Sequence, residues 1–267
     1  MLDRLSFNQM TADRWSFEQA VTNCAKSGIP YIAAWRHKLD GDPTKAAAII
    51  RREGLKVSSL CRGGWFSGPT AEDRRKRIAD NRLAIEEAAI LGAPVVVMVC
   101  GPANGQTLED ARATLLNRLS EVLPDAEKAG ITLGIEPLHP MYAAERSVVV
   151  TLKQATDMAE HLASPNAGVI VDVFHLWWDP EIIPQIKRAG SRIAGFHVSD
   201  WPVPLPGILM GRGMMGDGII ELRTLRKAVD ATGYTGPIKV EIFNEEIWKN
   251  ADETLPTLIQ KRFLEHC

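Results

Sequence analysis

The chain has 267 residues, 45% hydrophobic and 24% charged, with a formal net charge of −2. That is long enough for one large α/β barrel or two small domains. No basic stripe offers itself to a nucleic-acid backbone, no apolar run approaches the ~20 residues that span a bilayer, and Met1-Leu2-Asp3-Arg4 lacks a signal-peptide core, so a cytoplasmic protein with neither nucleic-acid nor membrane partners is expected.

Taken in order, short apolar runs alternate with segments of helical period. Leu5-Ser6-Phe7-Asn8-Gln9 reads as a first strand with a polar exit. Trp15 to Lys26 has helical spacing, and Gly28 stops it. Ile29 to Ala34 is strand two, leaving through Trp35-Arg36-His37. Pro43 opens a helix that runs to Glu53, with Gly54 beyond it. Leu55 to Leu60 is strand three, followed by Cys61-Arg62-Gly63-Gly64-Trp65. A long helix covers Ala71 to Leu91. Pro94 to Val99 is strand four, the most apolar, and Leu108 to Ala129 is helical with Pro124 as a candidate kink.

The second half keeps the rhythm. Ile131 to Ile135 is strand five, Thr151 to Leu162 a helix, and Val169 to Val171 the body of strand six. A short helix at Pro180 to Ala189 precedes strand seven, Ile193 to Val198. The stretch Trp201 to Gly218 is rich in Pro, Gly and Met, and irregular segments this long are usually functional. Its Gly211–Gly218 part reads as a mobile lid, which Asp217 either joins or ties down. A helix at Leu222 to Ala231, strand eight at Ile238 to Ile242 and a closing helix at Asp252 to Glu265 complete the chain. Eight strands alternating with helices, without a linker, predict a single-domain (β/α)8 TIM barrel over residues 1–267. An open doubly wound sheet would carry a Gly-rich loop after strand one, and Asn8-Gln9-Met10-Thr11 is not one. Cys24, Cys61, Cys100 and Cys267 are scattered, so neither a zinc knuckle nor a disulfide framework is expected, although Cys61 or Cys100 is placed to line a pocket.

Four strands close on residues that bind metals: Glu136 after strand five, Asp172 after strand six, His197 in strand seven and Glu241 in strand eight. Barrel strands lie about 4.8 Å apart, so four successive ends can surround one ion. A single buried acid at a strand end commonly pairs with an arginine. Burying several carboxylates with no cation costs several kcal/mol each, and the fourfold pattern points to a divalent metal. Three carboxylates and one imidazole suit Mn²⁺ best, then Mg²⁺ or Co²⁺, with Zn²⁺ ranked lower. Two open octahedral positions would accept a sugar carbonyl and its neighbouring hydroxyl, and the cation would act as a Lewis acid as the α-proton leaves.

These residues, with His175 three positions after Asp172, resemble the xylose isomerase-like superfamily of ketose 3-epimerases, hydroxypyruvate isomerases and apurinic endonucleases. The resemblance covers nearly the whole chain and is greatest to the epimerases. It implies that Glu136 and Glu241 form the acid/base pair, that His175 holds a substrate oxygen and that Arg212 binds substrate, here across an extended loop. The endonuclease branch carries extra histidines after earlier strands, and Cys61-Arg62-Gly63-Gly64, Cys100-Gly101-Pro102 and Gly216-Asp217-Gly218 hold none, which argues against a nuclease. The run Glu136-Pro137-Leu138-His139 also resembles enzymes acting on 3-oxo-glycosides, and His139 would be a second base beside the metal.

Around this centre, Trp177 and Trp178 offer indole faces on which sugars stack. Trp35, Arg36, His37 and Arg62 are rim candidates for hydroxyl or carboxylate groups. Glu245 and Glu246 read as solvated. The expected protein is a divalent-metal-dependent sugar isomerase or epimerase working through an enediolate on a small sugar or keto-sugar. The alternatives are a lyase cleaving 3-oxo-glycosides by β-elimination and a non-catalytic sugar-binding barrel. A homo-oligomer is expected, or a subunit of a hetero-oligomer if the chain is a deglycosylase.

Overall fold

Eight parallel strands pair in chain order, and the eighth returns to pair with the first. They are β1 (Leu5–Asn8), β2 (Tyr31–Trp35), β3 (Lys56–Gly64), β4 (Val95–Val99), β5 (Thr132–Glu136), β6 (Ala167–Asp172), β7 (Ile193–Val198) and β8 (Ile238–Val240). Around them lie α1 (Phe17–Ser27), α2 (Pro43–Glu53), α3 (Ala71–Leu91), α4 (Leu108–Ala129), α5 (Leu152–Leu162), α6 (Val173–Leu176), α7 (Ile182–Ala189), α8 (Leu222–Asp230), α9 (Glu245–Asn250) and α10 (Leu255–His266). This computed structural model describes residues 1–68 and 70–267. It is the expected closed (β/α)8 barrel.

Local chemistry delivers each strand in turn. The hydroxyls of Ser16, Thr70, Thr107 and Thr151 each accept a backbone N–H in the first turn of the helix that follows, and Asp42 does the same ahead of Pro43. Gly28, Gly54, Gly92 and Gly130 end four of these helices in the left-handed conformation. Leu5, Leu60, Met98, Leu133, Val171 and Phe196 join one continuous core with the surrounding helices. Inside the barrel, Cys61, Val95, Val97 and Ile170 form a second apolar layer beneath the mouth. Covering both faces explains why the strands read as apolar runs.

The elements depart from expectation where side chains set the ends. Strand β3 runs on to Gly64 because glycines let it press against β4: a Cβ on Gly64, which has φ +89°, would lie 2.2 Å from the Val99 carbonyl oxygen. Asp172 accepts the Phe174 N–H at 2.9 Å, caps the one-turn helix α6 and turns His175 back over the mouth. Strand β8 stops at Val240, yet the Glu241 N–H still donates to the Val198 carbonyl at 3.1 Å, so Glu241 stays on the rim. Helix α4 passes through Pro124 unbroken. Asn244 caps α9, whose first-turn acids Glu245 and Glu246 are exposed as expected. Among the described residues no helix is long and apolar enough to cross a membrane.

Candidate functional site

All eight strands point their C-terminal ends at one rim, the face on which TIM barrels place their chemistry. Glu136 ends β5 and Asp172 ends β6, where Asp172 stands in register with His197 of β7. Glu241 follows β8 two residues after Lys239, so both side chains face inward at different depths. One ligand atom from each of Glu136, Asp172, His197 and Glu241 lies within 4.8 Å of the other three, and all four residues are buried. That span matches the distance across a divalent ion whose oxygen ligands stand ~2.0–2.6 Å away.

His197 is the centre of the group. Its Nδ1 is 2.9 Å from a Glu241 oxygen, 3.2 Å from Glu136 and 3.7 Å from Asp172. It makes no well-aligned hydrogen bond with any of them, so a buried ring nitrogen is left aimed into a cage of acids. This orphaned donor set fits a divalent cation. On the far side of the ring, Nε2 lies 2.7 Å from Lys239 Nζ.

The electrostatics follow from burial and these partners. Burial and Lys239 disfavour a charged His197, but the close approach of the three carboxylates to Nδ1 outweighs them and raises its pKa to about 10. Burial raises Glu136 above the usual carboxylate range, and its His197 contacts only partly offset this. Glu241 suffers the same burial, yet His197, Arg212 and Lys239 together bring it down to about 2. Asp172 is buried too, and the charge of Arg212, with the contact to His197, pulls it well below the carboxylate range. The two glutamates at the mouth are therefore pushed in opposite directions.

Arg212 reaches this layer because the long loop after β7 is tied down. Asp200 accepts from the N–H groups of Trp201, Gly216 and Ile220, and it exchanges backbone hydrogen bonds with Gly213. Asn244 donates to the Arg212 carbonyl at 3.0 Å. Asp217 pairs with Arg262 of α10. The expected mobile lid is thus a pinned segment with Met214 and Met215 in the core, and Asp217 is one of its ties. The Arg212 guanidinium spends its donors on Asp172 at 2.8 Å and on His175 Nε2 at 3.0 Å. A guanidinium only donates, so His175 accepts at Nε2 and carries its proton on Nδ1, which has no partner. Burial drives the His175 pKa down to about 3, so the ring is neutral.

A solvent-open cavity covers this layer. Glu136, Glu241, His175, Arg212, Trp35 and Arg62 line it, as does Cys61, whose thiol burial keeps protonated. The other expected pocket and rim residues do not, His139, Trp177, Trp178, Arg36 and His37 among them. His139 accepts the Met141 N–H at Nδ1 and packs against Trp178 and Trp201 at 5.7 and 5.1 Å, which holds its ring behind the wall. Trp177, partly buried, packs on Trp201 at 5.3 Å against the core. Arg36 is held by Asp80 and Glu87, and His37 packs against the edge of Trp35. Tyr142, Arg146, Leu209 and Phe243 also line the cavity and were not singled out from sequence. They lie in irregular segments, where no periodicity marks a facing side.

A closed barrel with buried carboxylates and an imidazole gathered at its C-terminal rim defines a TIM barrel built around a cluster that fits a divalent cation. The chain belongs to the xylose isomerase-like TIM barrel family, whose model matches residues 21–264. It is 26% identical to an inosose isomerase of Bacillus velezensis, over 95% of this chain and 94% of that protein. The crystal structure of protein SMc04130 from Sinorhizobium meliloti 1021 superposes with a TM-score of 0.96 at 43% identity, over 100% and 99% of the two chains. A crystal structure of the IolI protein with a bound zinc atom superposes at 0.87 and 22% identity, over 98% and 97%.

Proposed function

We propose that this protein is a divalent-metal-dependent sugar isomerase or epimerase that moves a proton on the carbon next to a keto-sugar carbonyl. One observation carries the reading: of the four clustered side chains, Glu136 and Glu241 line the cavity, whereas Asp172 and His197 lie beneath them. Two carboxylates facing one bound molecule can take a proton from one carbon and return it at another position or face. The inosose isomerase relative supports the isomerase class.

In this reading Glu136, Asp172, His197 and Glu241 hold the cation. When bound, the cation polarises the substrate carbonyl and stabilises the negative charge that proton loss creates. Glu136 and Glu241 exchange the proton, and their opposed electrostatic settings suit one to give and the other to take. The unpartnered Nδ1–H of His175 donates to a substrate oxygen. Arg212 keeps Asp172 ionised and turned toward His197. The acid-rich donor set favours Mn²⁺, and the zinc bound by IolI makes Zn²⁺ the competitor to test. His139, behind the cavity wall, has no role in the proton transfer.

The test is an NMR screen of ketoses and 3-oxo-glycosides in D₂O with Mn²⁺-loaded protein. Deuterium entering the carbon next to the carbonyl, without loss of the C1 substituent, is the expected result. Release of a free aglycone would move the protein to the lyases. The absence of exchange with every keto-sugar tried would overturn the reading. Glu241→Gln should lower the exchange rate at least ~100-fold, the scale of a positioned acid or base.

A further inference from the structure

Among the described residues, two arginines in the cavity wall have no ion-pair partner. Arg62 and Arg146 line the same cavity as Glu136 and Glu241, and among the described residues neither forms an ion pair or donates a side-chain hydrogen bond. The third arginine lining the cavity is committed, Arg212 to Asp172 and His175, and the nearby Arg36 is held by Asp80 and Glu87. Like charges facing one open space repel, and the Arg146 charge disfavours that of Arg62. Such an arrangement becomes favourable when an anion sits between them.

Both side chains are held ready. The Arg62 guanidinium lies over the Trp65 ring at 4.5 Å, and that of Arg146 over Tyr142 at 5.8 Å. Asn81 fixes the strand beneath Arg62 by bonding both the N–H and the carbonyl of Gly64. The Arg146 carbonyl accepts the Gly101 N–H at 2.9 Å, and the Tyr142 hydroxyl donates to the Ile208 carbonyl. Stacked guanidiniums keep their in-plane N–H groups free for planar or tetrahedral oxyanions.

We propose that Arg62 and Arg146 form an oxyanion subsite in the cavity wall, and that the substrate is a keto-sugar carrying a carboxylate or phosphate. This rests on the cavity being the sugar site proposed above, but its test reads binding and needs no turnover. The Mn²⁺-loaded protein is titrated calorimetrically with D-glucose, D-glucuronate and D-glucose 6-phosphate. At least one charged sugar should bind ten times more tightly than glucose, with the gain falling as salt is added. Whichever binds identifies carboxylate or phosphate as the partner. Arg62→Met and Arg146→Met should each remove most of that gain, bringing the charged sugar close to the affinity of glucose in the same variant, whereas the lysine variants should retain part of it. Circular dichroism checks that the variants fold. Equal binding of charged and neutral sugars would overturn the proposal. So would a preference that survives both methionine substitutions, which would place the anion on the metal. Loss of exchange chemistry with this pattern intact would instead count against the isomerase reading alone.

Discussion

Lys239 Nζ stands 2.7 Å from His197 Nε2, on the face of the ring opposite three carboxylates. The two residues are in register on neighbouring strands, so the barrel itself sets the contact. Metal-binding histidines usually give their second N–H to an acceptor, which makes them better ligands. Here the second nitrogen faces the Lys239 amine, whose charge would compete with a bound ion for the electrons of the same ring. Lys239→Gln removes that charge and offers an amide oxygen to Nε2–H. The variant should bind Mn²⁺ at least ~10-fold more tightly, since like charges this close inside a protein repel strongly. Calorimetric titration checks this. Weaker binding would mean that Lys239 matters mainly as an anchor for the ring.

Metal uptake should also release protons. In the metal-free protein the three carboxylates hold a proton on His197, whose pKa is raised to about 10. An ion must displace that proton to reach Nδ1. Close to one proton per ion should appear at pH 7, read from titration enthalpies in buffers of different ionisation heat, and apparent affinity should climb with pH up to about 10. The same shift sets a stability trend. The folded pKa lies above the unfolded ~6.5, so this contribution is complete below ~6.5 and is lost as pH rises through about 10. The metal-free protein should therefore lose stability between these limits, and saturating Mn²⁺ should flatten the loss.

Arg212 is predicted to matter most when the metal is absent. Its guanidinium is the direct partner of Asp172, which is fully buried. Arg212→Met leaves that carboxylate without its cation, a change that costs about 3–5 kcal/mol in buried pairs. Denaturant titration of the metal-free variant should show a loss of that order, with part of it recovered on adding Mn²⁺. An equal loss in both states would show that Arg212 only packs.

The strand ends were legible in the sequence because a carboxylate or histidine closing an apolar run is costly without a partner, and the eight-beat rhythm set all the ends on one rim. Lys239 was not. In a parallel barrel both strand faces are buried, so the alternation of Ile238-Lys239-Val240 does not say which way the lysine points. The prolongation of β3 was hidden for a related reason: Gly63 and Gly64 follow the apolar run that ends at Leu60, and only the contact of Gly64 with Val99 shows that glycine lets the strand continue. Arg146 and Tyr142 depend on a bridge between Gly101 and Ser147 that no local pattern announces. His139 was expected beside the metal from the run Glu136-Pro137-Leu138-His139, and the sequence alone does not show that its ring packs on Trp201.

The most direct measurement is Mn²⁺ binding by the purified chain, followed by electron paramagnetic resonance after chelator treatment. The account predicts one tightly bound ion per chain, displaced by Zn²⁺, and loss of that site in both Asp172→Ala and His197→Ala with the barrel still folded. A metal-free chain that takes up no divalent ion, or an ion that remains bound in both variants, would contradict it.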